Sequence, residues 1–366
     1  MIIKSKFNIQ TILISPLDWG LGHTTRCIPI VKALLLLNYN VYISCNNDQK
    51  KLLQAEVENV TFLLLDGYNI KYSLNKKLFA LSILKQLPKI IKVIKFEHWW
   101  LQKTIKKYNI DVVISDNRYG LHTTKVPCVF ITHQLLIKAP FVLIEKYLQK
   151  INYHFINKYT QCWVPDFEFS QNIAGALSHP KKMPSIPVKY IGPLTRFEKK
   201  NTLEKKYDYC FVLSGPEPQR SILEAIILND INTIFGKILL VRGFPNGQEH
   251  LLSTDALVIK NHLNTSELGE AMQQSDYIIT RSGYTTIMEL LWLEKKSIVI
   301  PTPGQTEQEY LAEKLMQQGW CYSVSQSQFK LATAINNARQ FTYQLPTTAA
   351  SNLNTCIANL MQNILS

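Results

Sequence analysis

Short, nearly continuous apolar runs alternate with stretches of helical spacing through the first half of the chain. Thr11–Ser15, Val41–Cys45, Val60–Leu65, Val112–Ser115 and Cys128–Thr132 read as strands, and Thr24–Leu37 as a helix between the first two. Strands that lack a polar face and are joined by helices predict a parallel sheet covered on both sides. After residue 206 the same pattern restarts. Tyr209–Leu213, Ile238–Val241, Leu257–Ile259, Tyr277–Thr280 and Ser297–Ile300 read as strands, and Thr285–Leu293 and Glu307–Gln318 as helices. The fold class is therefore read as α/β, with two doubly wound, Rossmann-like units in tandem. Gly192-Pro193 and the polar stretch Arg196–Tyr207 mark a linker between them. This sets an N-terminal domain at 1–195 and a C-terminal domain at 206–346. The last segment, 347–366, has helical spacing and no following strand, and is expected to pack back on the N-terminal domain.

A length of 366 residues suits about two domains. With 46% apolar and 18% charged residues, this is an ordinary folded chain. Its seven cysteines are scattered without a CxxC pair, which argues against a zinc ribbon, a redox dithiol or a disulfide scaffold. No apolar run approaches the ~18 residues of a membrane span, and no secretion signal opens the chain, so a cytoplasmic protein is expected.

Charge changes this picture. The net +13 divides into +16 over residues 1–200 and −3 over 201–366. A basic half suits nucleic acid, an anionic membrane or an anionic substrate. Lysine far outnumbers arginine there and no zinc-finger, homeodomain or RRM signature occurs, so nucleic acid is not expected. Leu74–Lys107 carries nine lysines, the pair Trp99-Trp100 and a single acid, Glu97. Two readings stay open for it: a membrane-facing basic and aromatic surface, or a core-packed helix pair, broken at Pro88, with a solvated lysine face.

Candidate chemistry sits where strands end. Asp18-Trp19-Gly20-Leu21-Gly22-His23-Thr24-Thr25-Arg26 follows the first strand, and its glycines permit close backbone approach to a ligand. His23 at such a strand end is a candidate general base, against the plainer reading of a loop-capping histidine. Asp116, after the fourth strand, is placed to orient that imidazole or to serve only as a turn residue; His133 after the fifth strand is equally open. In the second half, Ser282-Gly283-Tyr284-Thr285 turns from a strand into a helix, a suitable start for anion binding, with Glu289 two turns on. Leu213-Ser214-Gly215-Pro216 is a second candidate phosphate cradle. Pro301–Tyr310 (PTPGQTEQEY) offers amides and carboxylates, including Glu307 and Gln308, which suit sugar hydroxyls. No Asp-x-Asp metal motif occurs, and no metal ligands are proposed.

In this order the motifs resemble the GT-B glycosyltransferases of family 28, whose well-known type is the N-acetylglucosaminyltransferase that completes the lipid-linked peptidoglycan precursor. The similarity is strongest at Thr280–Ala312 and weaker at Gly20–Pro29. The resemblance implies two Rossmann-like domains facing across a cleft. It implies an inverting, metal-independent hexosyl transfer from a UDP-sugar, UDP-GlcNAc among the candidates, with no cofactor. The acceptor it implies is a lipid or envelope precursor at the inner membrane face, which an anionic leaflet and a +16 half would suit. On its matching position His23 would activate the acceptor hydroxyl, and Asp116, read from its strand end rather than from the resemblance, would be its catalytic partner. Gly20, Gly22 and Thr24 would form the acceptor-side loop. Gly215, Ser282, Gly283, Tyr284 and Thr285 would face the diphosphate, Glu289 the ribose, Glu307 and Gln308 the donor sugar, and His262 and Leu263 the base.

The run Gly22-His23-Thr24-Thr25-Arg26-Cys27 also resembles the GHxxRC of UDP-sugar hydrolases in the pseudaminic acid pathway. The alternatives are thus a hydrolase that uses water as acceptor, an epimerase of the same architecture, and a non-catalytic nucleotide-sugar-binding protein. At Gln308-Glu309 and Leu311-Ala312 the chain departs from the family 28 pattern, and its first loop lacks the doubled glycines of that family.

Overall fold

The computed structural model describes residues 10–68, 79–139, 141–169, 171–200, 203–244, 247, 251–347 and 351–365. Of these, residues 10–68, 80–194 and 351–365 form one unit, and residue 79 with 195–347 the other.

The first unit contains strands β1 (Thr11–Pro16), β2 (Asn40–Cys45), β3 (Val60–Leu64), β4 (Val112–Asp116), β5 (Cys128–Ile131), β6 (Gln161–Val164) and β7 (Val188–Tyr190). They form one sheet in the order β3-β2-β1-β4-β5-β6-β7, and every pairing is parallel. All five residues of β4 are buried, as a strand covered on both faces must be. The chain reverses direction across the sheet between β1 and β4, so the loops after these two strands diverge and leave a crevice. Ile12, Leu13, Ile14, Val113, Val129 and Phe130 form the centre of the core.

Helix α1 (Leu21–Leu36) starts three residues earlier than its apolar spacing predicts, so Gly22, His23 and Thr24 lie in its first turn and only Gly20 remains in the loop. Helix α2 (Asn47–Gln54) begins with a reciprocal capping box between Asn46 and Gln49. Helix α3 (Phe79–Tyr108) continues past Pro88, which the sequence predicts as a break. An internal proline removes one backbone hydrogen bond; here the turns beyond it are held by buried Ile94, Glu97, Leu101 and Ile105. Helix α4 (Val142–Ile156) follows β5.

The second unit repeats the plan with β8 (Tyr207–Val212), α5 (Gln219–Asp230), β9 (Ile238–Val241), β10 (Leu257–Lys260), α6 (Thr265–Gln273), β11 (Ser275–Thr280), α7 (Tyr284–Trp292), β12 (Lys296–Val299), α8 (Thr306–Gln317), β13 (Tyr322–Ser323) and α9 (Leu331–Gln340). Its sheet order, β10-β9-β8-β11-β12-β13, is again parallel throughout and reverses between β8 and β11. Phe211, Leu240, Ile279 and Ile298 are fully buried at its centre.

The polar stretch from Arg196 is not a free spacer at its start. Phe197 is buried and its carbonyl accepts from Trp292 Nε1 at 3.0 Å, while Arg196 pairs with Glu289. The aromatic ring and the guanidinium recover more by packing than a solvated linker would. The last helix, α10 (Leu353–Leu365), groups with the first unit. Asn352 N donates to Ile191 O at 2.9 Å, and Ile357 and Leu360 are buried. All seven cysteines are free thiols.

Candidate active site

In the first unit the ends of β1, β4 and β5 bring together five charged or titratable side chains. Gly20, at φ +81°, turns the chain from β1 into α1, a left-handed conformation that costs least at glycine. This places His23 and Arg26 one turn apart at the start of α1, facing Asp116 at the end of β4. Arg26 is sealed and forks onto Asp116. Its Nε donates to Oδ2 at 2.7 Å and its Nη2 to Oδ1. His23 Nδ1 lies 3.2 Å from Asp116 Oδ1 and 2.8 Å from Arg26 Nη2. Arg26 Nη1 also meets His133 Nδ1 at 3.2 Å, and the Cys27 thiol sits 3.7 Å from Asp116 Oδ2.

Sequence spacing brings His23 to Asp116 but does not show the arginine between them. Arg26 is part of the quoted motif, yet its role depends on α1 beginning at Leu21, which places residues 23 and 26 on adjacent faces of one turn. Its charge governs the site. Burial would raise the Asp116 carboxyl, but Arg26, and after it His23, hold it well below the usual carboxylate range. Burial lowers the His23 pKa and Arg26 lowers it further, against the opposing pull of Asp116, so the ring is neutral at pH 7. Burial also raises the Cys27 thiol, with Asp116 adding to the effect, so this cysteine is no nucleophile.

The two partners of Nδ1 compete. Donation from Arg26 leaves a proton on Nε2; donation to Asp116 leaves a lone pair there, and only that tautomer makes Nε2 a base. Nε2 makes no hydrogen bond among the described residues, and the side chain keeps 14% of its surface exposed. Thr24, read as part of the acceptor-side loop, is instead fully buried, and its hydroxyl accepts from Gln49 Nε2 at 2.9 Å. Because α1 starts early, this residue points into the core. Gly22 is helical too, and its carbonyl accepts from the Thr25 hydroxyl.

Beneath this cluster a second buried pair sets the position of α3. Glu97, the single acid of the lysine-rich segment, turns inward to Arg118 Nε at 2.7 Å and also accepts from Tyr68 OH and Gly120 N, each at 3.0 Å. Burial raises its pKa, and Arg118 pulls it part of the way back down. The outward face of α3 is left with lysines alone, between Ile91, Phe96 and Trp99, each about half exposed.

In the second unit the loops after β8, β9, β10, β11 and β12 leave the carboxyl edge of one sheet. Gly283 is the N-cap of α7, no side chain caps the helix, and a Cβ at Gly283 would meet no atom within 4 Å. The first N–H groups of α7 thus need partners from outside the helix. Gly215, at φ +107°, also borders open space. Ser282 is fully buried and its hydroxyl donates to Gln308 O at 2.9 Å, so its side chain ties the turn to α8. Tyr284 and Thr285 are buried as well.

Glu289 is buried and pairs with Arg196 Nε at 3.0 Å. Burial raises its pKa, against the pull of Arg196. Gln308 is buried too. Its Oε1 accepts from Thr302 N at 2.9 Å and its Nε2 donates to Gln305 Oε1 at 2.5 Å, which braces the Pro301–Gln305 loop. Glu307 is partly exposed in the first turn of α8. His262 is exposed and Leu263 half-buried in the loop after β10, which is fixed by the capping box of Asn264 and Glu267 and by Arg242 Nη1 on Asn261 Oδ1 at 3.1 Å. Among the described residues no three His, Cys, Asp or Glu side chains cluster as a metal site, and no helix is long and apolar enough to cross a membrane.

Comparison with known proteins defines the class. Residues 251–364 match the model of the glycosyltransferase family 28 C-terminal domain. An uncharacterized glycosyltransferase of Methanosarcina acetivorans is 25% identical over 326 residues, 82% of this chain and 80% of that one. MurG of Acinetobacter baumannii shares the fold with a TM-score of 0.57 at 13% identity, over 97% of this chain and 100% of that one. UGT2 of Phytolacca americana, solved with UDP-2-fluoro-glucose and pterostilbene, does so with a TM-score of 0.59 at 14% identity, over 98% and 94%.

Two parallel α/β units of this strand order, with these relatives, make the protein a glycosyltransferase of the GT-B fold. Within that class, residues 251–364 match the family 28 C-terminal domain.

Proposed function

We propose that this enzyme takes a UDP-sugar on its C-terminal unit and passes the sugar, with inversion and without a metal ion, to an acceptor hydroxyl deprotonated by His23. The observation that carries the reading is the buried trio of His23, Asp116 and Arg26 at the switch point of the first sheet, with Nε2 of the imidazole unbonded. In the tautomer that donates Nδ1–H to Asp116, Nε2 takes the acceptor proton as the hydroxyl oxygen attacks the anomeric carbon. The bond from that carbon to the diphosphate oxygen breaks on the opposite face. The leaving UDP gathers negative charge, which the uncapped start of α7 at Gly283 is suited to stabilise. Gly215 lets a second loop approach the phosphates closely. Glu289, already held by Arg196, would take the ribose, and Glu307 and Gln308 the sugar, with Gln308 acting through the loop it braces.

A lipid-linked or envelope acceptor at the inner membrane face fits the surface of the first unit. Lys89, Lys92, Lys95 and Lys103 on α3 surround exposed Ile91, Phe96 and Trp99, and the tip of α4 exposes Phe141, Val142 and Leu143 beside Lys146. Such a surface suits an anionic leaflet, where each lysine contributes ~1 kcal/mol.

The test is transfer of labelled sugar from a panel of UDP-sugars into a detergent-solubilised lipid extract. Label that enters the lipid fraction with wild-type enzyme and not with His23→Ala supports the reading. If saturating UDP-sugars leave the unfolding midpoint unmoved, the donor assignment fails, since ligand at 100 times Kd adds ~2.7 kcal/mol. A hydrolase stays the second reading because Arg26 and Cys27 of the shared GHxxRC run both contact Asp116. It predicts free sugar from UDP-sugar without any acceptor.

A further inference from the structure

Five arginines among the described residues are almost fully buried: Arg26, Arg118, Arg220, Arg242 and Arg281. Four of them meet a carboxylate. Arg26 has Asp116, Arg118 has Glu97, and Arg220 and Arg242 share Glu224. Arg281 has none. Its Nη1 donates to the carbonyls of Ile300 at 3.2 Å and Pro301 at 3.4 Å, and its Nη2 to Gln219 O and Gln326 Oε1, both at 2.6 Å. All four acceptors are neutral, and Nε has no partner. Burial lowers the guanidinium pKa to about 10, so it is still a cation at pH 7. A buried charge with no counter-charge is among the costliest features a fold can carry.

Its location suggests what offsets that cost. Arg281 is the first residue beyond β11 and directly precedes Ser282 and the open helix cap Gly283. Gln219 is the first residue of α5, four positions after Gly215. Ile300 and Pro301 directly follow β12 and lead into the loop that Gln308 braces. Among the described residues, the one buried arginine that meets no carboxylate thus joins three strand-end loops, two of which border open space at Gly215 and Gly283.

We propose that Arg281 is the built-in counter-charge for a nucleoside diphosphate held by the loops at Gly215, Gly283 and Pro301. It is a positioning residue: it stays beneath the loops, fixes their carbonyls by hydrogen bonds, and supplies a positive potential that the bound diphosphate neutralises. This rests on the reading that the second unit holds the donor. Being buried, the charge is poorly screened by salt, and its contribution scales with the ligand's negative charge rather than with its base or ribose.

The experiment is calorimetric titration of wild-type protein, Arg281→Met and Arg281→Lys with uridine, UMP and UDP. The expected result is a loss of at least tenfold in UDP affinity for Arg281→Met, a smaller loss for UMP, and uridine affinity within about twofold of wild type. Arg281→Lys keeps the charge but not the planar fork, and is expected to retain most of the preference for UDP over uridine. If Arg281→Met weakens uridine and UDP by the same factor, or keeps the UDP preference intact, the residue is only a loop staple and the inference is overturned. Should Arg281→Met fail to fold, the lysine variant decides alone: a collapsed UDP-to-uridine ratio overturns the inference and a preserved one supports it. Wild-type protein that binds neither uridine nor UDP removes the donor reading itself, which is a different failure from a variant that binds both without discrimination.

Discussion

The Arg26–Asp116 pair allows the sharpest test of how the first unit is held together. Asp116→Asn keeps the shape of the side chain but leaves the Arg26 guanidinium, 2% exposed, without its anion. Arg26→Met does the converse, although there His23 at 3.2 Å can take up a proton and restore part of the balance. Breaking a buried pair on one side costs ~3–5 kcal/mol, because a bare charge is left behind. The double variant Arg26→Met with Asp116→Asn removes both charges and is expected to cost at least 2 kcal/mol less than the two single losses added together. Urea unfolding followed by tryptophan fluorescence reads the first unit through Trp163, fully buried on β6 of the same sheet. Single losses under about 1 kcal/mol, or losses that add within ~0.5 kcal/mol in the double variant, would refute the claim that the pair is a closed, mutually dependent unit. The pH dependence has a definite sign. Asp116 is held below its ordinary value of 3.8, so its contribution is complete above about pH 4 and declines as pH falls below that value. Asp116→Asn should flatten the acid limb of the stability profile.

Three further outcomes follow from the same contacts. Burial, with His98 and Lys158 nearby, lowers His122 to about 4, so the unfolded chain takes the proton first and the first unit loses stability from pH 6.5 down to about 4; denaturant midpoints across that range should fall less steeply in His122→Gln. His23→Ala should cut transfer or hydrolysis ~10²–10⁴-fold while UDP affinity, read by calorimetry, is unchanged; equal turnover would remove His23 from the mechanism. Gly283 has an ordinary φ of −67° and open space at its Cβ, so Gly283→Ala should leave the thermal midpoint of the second unit unchanged and still weaken UDP, because the added methyl occupies the approach to the α7 amides.

Much of the architecture is written in local patterns. An apolar run such as Val112–Ser115 has no polar face to give to water, so it must become a central strand, and the restart of that pattern after residue 206 announces a second sheet of the same kind. Glycine followed by helical spacing after a strand likewise marks where ligand-facing loops arise. Shorter elements escape this reading. Residues 161–164 and 188–190 are too brief to show a period, and they become β6 and β7 only because an existing sheet edge offers them hydrogen bonds. Pro88 looks like a break because a local rule counts the lost hydrogen bond and not the core contacts of the following turns.

Residue types and strand ends are thus properties of the sequence, and they point to His23, Asp116, Gly215 and Gly283 as positions where chemistry can occur. Charge partnership is not, since it joins residues 26 with 116, 97 with 118 and 196 with 289 across distances that no spacing rule spans. Only the folded packing turns Glu97 inward, seals Thr24 in the core, sets an arginine against the His23 imidazole and leaves Arg281 without an anion. The physical reason is that hydrophobic patterning acts over a few neighbouring residues, whereas the protonation and orientation of a buried polar group depend on whatever the whole fold brings within hydrogen-bonding distance of it.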